Sequence, residues 1–213
     1  MSTPERPKQI LPLGGERPLI ADTVARITPL VPLDRIRVLT GAELVAPIRA
    51  AVEGLQDVHF LVEPRPRGTA PVLVWAAHYL ADQDPDAVMV SLHADHVIRP
   101  EAEFRELVAT AAAAADRHDR LFSLGIRPTR TETGYGYIRV ADALDDAGAL
   151  AVDAFVEKPD ADTAADYVRS GDYLWNTGIF IWPVALFLEE IRRHLAEHQG
   201  GPENGGDDDG NLG

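Results

Sequence analysis

Short apolar runs alternate along the chain with apolar residues at helical spacing. Residues 35–41 (RIRVLTG), 57–64 (DVHFLVEP), 87–96 (AVMVSLHADH) and 120–128 (RLFSLGIRP) each hold a β-branched or apolar run that ends in polar residues, glycine or proline. That is the pattern of strands. Between them, residues 43–55, 69–83 and 102–118 place apolar side chains three to four positions apart, which predicts helices with one buried stripe. Strands alternating with helices argue for parallel βαβ units with helices on both faces.

After residue 125 the rhythm changes. Residues 134–140 (GYGYIRV) and 151–159 (AVDAFVEKP) read as strands joined by a polar stretch. A helix over 160–171 has Asp and Thr at its start for capping and Gly171 as its stop. Residues 174–183 (LWNTGIFIWP) read as a strand and 184–198 as a last helix. The expectation is a mainly parallel sheet with an antiparallel insertion in its second half. Open sheets of this kind bind ligands where strands give way to loops.

Composition narrows the picture. A chain of 213 residues with 46% apolar and 25% charged residues suits one globular domain. Cysteine is absent, which excludes disulfides, thiolate metal sites and a cysteine nucleophile. No apolar run reaches the ~20 residues of a membrane span, and the start MSTPERPKQI lacks an apolar signal core. These features predict a soluble cytoplasmic protein. A net charge of −14, with no local basic patch, argues against nucleic acid as a partner. The acidic, glycine-rich end cannot bury apolar surface. The expected division is therefore a domain over 1–198 and a disordered tail over 199–213.

Several strand ends carry candidate chemistry. Asp95, beyond the run from Ala87 to Leu92, can hold a hard divalent ion or simply cap a turn. His93 and His96 flank it without the spacing of a helical zinc motif, and read as structural or exposed. Glu63 ends a strand, Arg65 and Arg67 follow among prolines, and Thr69 can cap the next helix. The free N–H groups at such a helix start suit an oxygen-rich ligand, or the stretch is an ordinary strand–loop–helix junction. Lys8 reads on its own as a surface charge. Glu157 and Lys158 stand at a strand end before Pro159, where adjacent unlike charges are usually surface decoration, yet a carboxylate can bind sugar hydroxyls and an ammonium a phosphate. Asn176 lies inside an apolar run and needs partners if buried, and Gly178 leaves room for close approach. Gly14 and Gly15 fit neither a dinucleotide nor a P-loop motif and read as a turn. Two Gly–Tyr steps in TETGYGYIRV (131–140) mark either a hairpin turn or a loop shaped for something flat and polyhydroxylated.

Taken in order, PKQ, EP-x-x-R-x-TAP, ADHVI, ETGYGYI, FVEKP and WN-[ST]-G-x-F resemble the nucleotidyltransferase domain of the mannose-1-phosphate guanylyltransferase (GDP-mannose pyrophosphorylase) family, from about residue 7 to about residue 190. The resemblance implies a Rossmann-like three-layer α/β/α nucleotide-diphospho-sugar transferase fold. It implies transfer of GMP from GTP to mannose 1-phosphate, with Mg²⁺ as cofactor and GDP-mannose and pyrophosphate as products. It places Lys8 at the phosphates, and Glu63, Arg67, Thr69 and Ala70 by the guanine and ribose. Asp95 becomes a metal ligand. Gly134 and Tyr135 become the wall of the mannose site. Glu157 contacts mannose hydroxyls, Lys158 the sugar phosphate and Asn176 the sugar, with Gly178 giving clearance; Lys8, Asp95 and Lys158 form the catalytic set. The expected partners are GTP and mannose 1-phosphate, with neither nucleic acid nor membrane; a homodimer is left open. The sequence departs from the family pattern at Gly68 and His93, where the family has Asn and Pro. The resemblance also implies a chain that starts inside the family's glycine-rich phosphate loop and stops short of its far end. Two alternatives stay open: another sugar-1-phosphate nucleotidyltransferase, or a non-catalytic sugar-nucleotide-binding remnant.

Overall fold

The structure, a computed structural model, describes residues 7–13, 15–65 and 68–199. Gly14, Arg67 and the tail beyond Gln199 lie outside the described residues. Among the described residues, seven strands and six α-helices follow in chain order: α1 (Leu19–Ile27), β1 (Val38–Gly41), α2 (Ala42–Ala51), β2 (Phe60–Glu63), α3 (Thr69–Ala81), β3 (Val88–Ser91), α4 (Glu101–His118), β4 (Phe122–Ile126), β5 (Gly136–Ala143), β6 (Leu150–Glu157), α5 (Ala161–Ser170), β7 (Tyr173–Pro183) and α6 (Val184–Gln199).

The expected α/β architecture with both kinds of pairing is present. β1 and β2 pair in parallel, Val38 opposite Phe60. The other five strands form one sheet in the order β3-β7-β5-β6, with β4 also on β7. Every pairing in that sheet among the described residues is antiparallel, so parallel pairing is confined to β1 and β2 and does not prevail as the strand–helix alternation suggests, because β3 and β4 both pair with β7 from late in the chain. β7 organises the sheet. At eleven residues it is the longest strand, and three others pair with it.

Alternation along the strands distributes side chains to two helical layers. On one face Leu61, Met89 and Trp182 pack with Leu73, Ala76 and Ala77 of α3 and Val184, Phe187 and Leu188 of α6. On the other, Ile179, Ile181 and Leu124 pack with Phe104, Val108, Ala111 and Ala115 of α4 and Ile27 of α1. Val38 and Phe60 turn toward Ile20, Ala21 and Val24 of α1 and Ile48 of α2. The same α1 thus contributes to two clusters, tying the parallel pair and the five-stranded sheet into one hydrophobic unit.

The sequence pattern does not predict α1. It has only nine residues, and its apolar positions follow a proline-rich stretch without a long periodic run. Local chemistry explains other boundaries. Asp160 caps α5 by accepting from the Thr163 amide at 2.8 Å, and Gly171 ends that helix at φ +78°, a conformation that suits glycine.

Candidate functional site: a break in the sheet

The candidate site follows from strand register. β3 and β4 both pair with Phe180 and Ile181, so they lie on opposite edges of β7. β4 and β5 both pair with Trp175, so they too lie on opposite edges. β3 and β5 therefore share one edge: β3 covers residues 180–183 and β5 covers 173–175. Asn176, Thr177, Gly178 and Ile179 have no strand partner on that edge among the described residues. Four residues span about 13 Å of strand, enough for a crevice floored by β7. The carboxyl end of β3 opens on one side of it and the start of β5 on the other.

The β5 side is built by pairing. Gly136 lies opposite Glu157 of β6, and Tyr137 opposite Trp175 of β7. Gly134, Tyr135, Glu157, Lys158 and Trp175 are thereby gathered at one end of three adjacent strands. Tyr135 is exposed and meets the buried Trp175 edge to face at 5.4 Å, while the Arg130 guanidinium sits 5.2 Å from the Trp175 ring centre. The Trp175 indole N–H has no hydrogen-bond partner among the described residues. Beneath this wall Tyr137 is fully buried. Its hydroxyl donates to the Glu132 carbonyl at 2.8 Å and accepts from the Glu132 amide at 3.2 Å. Glu132 in turn accepts from the Gly134 amide at 3.2 Å. The loop holding Gly134 and Tyr135 is thus pinned from below.

Gly136 has a steric reason. A Cβ there would fall 2.8 Å from both the Glu157 carboxylate and the Phe155 ring. The Lys158 amide donates to the Tyr135 carbonyl at 3.2 Å, and its backbone sits at φ +47°, uncommon for a residue with a Cβ. Lys158 Nζ and Glu157 Oε1 lie 2.7 Å apart, with both side chains more than half exposed. An exposed pair of this kind contributes little to stability and is open to exchange its partner for a ligand.

On the floor, Asn176 Oδ1 accepts from Ser123 Oγ at 3.0 Å and from the Gly178 amide at 3.1 Å. The carbonyl half of the amide is satisfied inside the protein, leaving the NH₂ for a ligand. Gly178 sits at φ +70°. A Cβ on it would collide with His93 Nε2 and lie 3.1 Å from His93 Cδ2. The clearance over Gly178 is therefore taken by the His93 ring.

That ring joins the β3 side of the crevice to its floor. His93 and His96 rings lie 4.8 Å apart between centres, and one ligand atom from each of His93, Asp95 and His96 falls within 4.8 Å of the others. Asp95 is exposed. The buried Arg26 of α1 donates from Nη2 to the His96 carbonyl at 2.9 Å and lies 5.7 Å from the centre of the Phe104 ring. Burial lowers the Arg26 pKa from its ordinary value, against the pull of Glu101 and Asp22. Burial likewise lowers the His96 pKa, with nearby His93 adding to the effect and Asp95 opposing it.

The remaining expected residues form two further groups. Lys8 is exposed in a short 3-10 turn (Lys8–Ile10). Ile10 of that turn and Ala94, beside Asp95, pack against the same hydrophobic cluster, so the turn and the Asp95 loop border a common core. Glu63 ends β2, and Thr69 and Ala70 are exposed in the first turn of α3 behind Gly68 at φ +91°. Arg67, between them, lies outside the described residues. Sequence reading missed Trp175, Arg130 and Arg26, and set aside His93 and His96. The tryptophan of WN itself was the available signal for the first, whereas Arg26 carries none, since only the fold buries it.

A mixed α/β domain whose candidate ligand crevice opens at a break in its sheet is the class this fold defines. Residues 3–201 match the nucleotidyl transferase family, and the chain belongs to it. It is 37% identical over 198 residues to a mannose-1-phosphate guanylyltransferase from Salmonella muenchen, covering 90% of this chain and 41% of that protein. It is 40% identical over 193 residues to the xanthan biosynthesis protein XanB of Xanthomonas campestris pv. campestris (strain B100), covering 88% of this chain and 39% of that one. The chain therefore spans about 40% of the length of these curated relatives. Among solved structures it resembles mannose-1-phosphate geranyltransferase from Thermus thermophilus, with a TM-score of 0.81 at 36% identity over 92% of this chain and 56% of that chain. Mannose-6-phosphate isomerase from Helicobacter pylori shares the fold, with a TM-score of 0.77 at 23% identity over 91% of this chain and 72% of that chain. No helix among the described residues is long and apolar enough to cross a membrane.

Proposed function

We propose that residues 1–198 act as a guanylyltransferase domain that converts mannose 1-phosphate and GTP to GDP-mannose and pyrophosphate, in the cytoplasm. The observation that carries this reading is the convergence of Gly134, Tyr135, Glu157, Lys158 and Asn176 on one break in the sheet. A polyol needs such a mixture: a flat apolar wall, a carboxylate to accept hydroxyl protons and an amide to donate. In this reading Tyr135 and Gly134 form the hexose wall, Glu157 binds its hydroxyls, Asn176 donates through its NH₂, and Lys158 releases Glu157 to hold the sugar phosphate. Lys8 faces the GTP phosphates, while Glu63, Arg67, Thr69 and Ala70 face guanine and ribose.

A sugar-phosphate oxygen attacks the α-phosphorus of GTP. A P–O bond forms, the bond to the bridging oxygen breaks, and pyrophosphate leaves with that electron pair. Residues here bind and orient; little covalent work falls to the protein. Asp95 fits a role in binding the divalent ion that such a reaction uses, its exposed carboxylate standing with His93 and His96 so that one ligand atom of each lies within 4.8 Å of the others. A bound divalent ion would offset phosphate charge.

The experiment is pyrophosphate release from GTP and mannose 1-phosphate, beside glucose 1-phosphate, UTP and dTTP. Turnover fastest with mannose 1-phosphate and GTP supports the proposal. Faster turnover with another pair overturns the assignment of sugar or base. Binding of GDP-mannose without turnover favours a sugar-nucleotide-binding module.

A further inference from the structure

We propose that His93, Asp95 and His96 bind one divalent ion of the Mn²⁺, Co²⁺ or Zn²⁺ class in preference to Mg²⁺. Their ligand atoms, two imidazole nitrogens and a carboxylate oxygen, lie within 4.8 Å of one another. Ligand atoms on one ion with bonds of about 2.1 Å stand at most about 4 Å apart, so a small rotation of the exposed Asp95 side chain, with a slight adjustment of the rings, closes the set. Mg²⁺ demands near-octahedral oxygen coordination, whereas imidazole suits first-row transition ions. Asp95 alone would suit Mg²⁺, and the two histidines reverse that preference.

Two observations brace the cluster independently of its composition. The His96 backbone is held by the Arg26 guanidinium at 2.9 Å. His93 occupies space that exists because Gly178 has no Cβ. Three protein ligands leave open positions on the ion, as catalytic metal sites do, and Gly178 sets the ion beside the floor of the crevice. The ion would then stand within reach of a phosphate bound there. The site shares Asp95 with the guanylyl-transfer reading but is tested without substrate.

The test is titration of the whole chain with Co²⁺, followed by its visible absorption, with Mg²⁺ as competitor. One Co²⁺ per chain is expected, and a tenfold excess of Mg²⁺ should not displace it. His93→Ala and the milder His93→Asn should each weaken Co²⁺ binding at least tenfold with unchanged circular dichroism, and His118→Ala should not. Displacement by equimolar Mg²⁺ overturns the proposal. So does Co²⁺ binding that survives both His93 substitutions, or a loss seen equally in His118→Ala. Because no GTP or sugar phosphate is present, failure here leaves guanylyl transfer standing, and failure of guanylyl transfer leaves the ion site standing.

Discussion

Replacing Gly178 with alanine separates backbone strain from damage to the crevice. The residue sits at φ +70°, where an L side chain costs roughly 1–2 kcal/mol. The new methyl also overlaps His93 Nε2. That atom is the far end of a side chain, so the ring can swing away, and the collision adds little to the loss of stability. Gly178→Ala should therefore destabilise by about 1–2 kcal/mol in urea denaturation. The displaced ring should weaken Co²⁺ binding at least as much as His93→Ala does, since both remove the same ligand. A double-mutant cycle makes the contact itself measurable. In His93→Ala the space over residue 178 is open, so adding Gly178→Ala should cost only the φ penalty and no further metal affinity. Residues in contact usually couple by about 0.5–3 kcal/mol. Effects on Co²⁺ affinity that add to within ~0.5 kcal/mol would refute the contact, as would Gly178→Ala protein that binds Co²⁺ like the parent.

Tyr137→Phe removes the hydroxyl that serves both backbone groups of Glu132; a stability loss of about 1–2 kcal/mol in urea denaturation is expected, with weaker GDP-mannose binding by calorimetry as the Tyr135 loop loosens. Asp145 accepts from His118 Nε2 at 2.9 Å and from the Ala147 and Ala149 amides, and these bonds, His118 first, lower its pKa below 3.8. A depressed carboxylate pKa adds stability above the unfolded-state value that is lost as pH falls through the folded one. Asp145→Asn should thus lower the thermal midpoint at neutral pH, and the gap to the parent should shrink only below 3.8; a gap unchanged at lower pH would contradict it.

Elements with a strong local pattern were legible from the sequence. The apolar run from Val88 to Ser91, the long alanine-rich α4 and the capped α5 all form near their predicted bounds. α1 escaped because nine residues after a proline-rich stretch give too little periodicity. The alternation of strand and helix suggested parallel pairing throughout the first half. Register gave a different partner to β3, which runs antiparallel to β7, Val88 opposite Pro183 and Ser91 opposite Phe180, and nothing local to Val88–Ser91 encodes that distant partner. At the site, Tyr135, Glu157, Lys158 and Asn176 were each ambiguous singly. What unites them is strand pairing between β5, β6 and β7, a property of the fold. His93 and His96 were set aside because their spacing matches no helical metal motif; on a loop that rule does not apply, and the rings converge.

The proposed function depends above all on the sugar binding in the crevice over Asn176–Ile179. A crystal structure of the chain with GDP-mannose tests this directly. The hexose should lie between Tyr135, Glu157 and Asn176, its hydroxyls on the Glu157 carboxylate and its phosphate toward Lys158. A hexose found instead in the 630 Å³ cavity lined by Arg17, Val24 and Glu53, or anywhere away from the break between β3 and β5, would contradict the account.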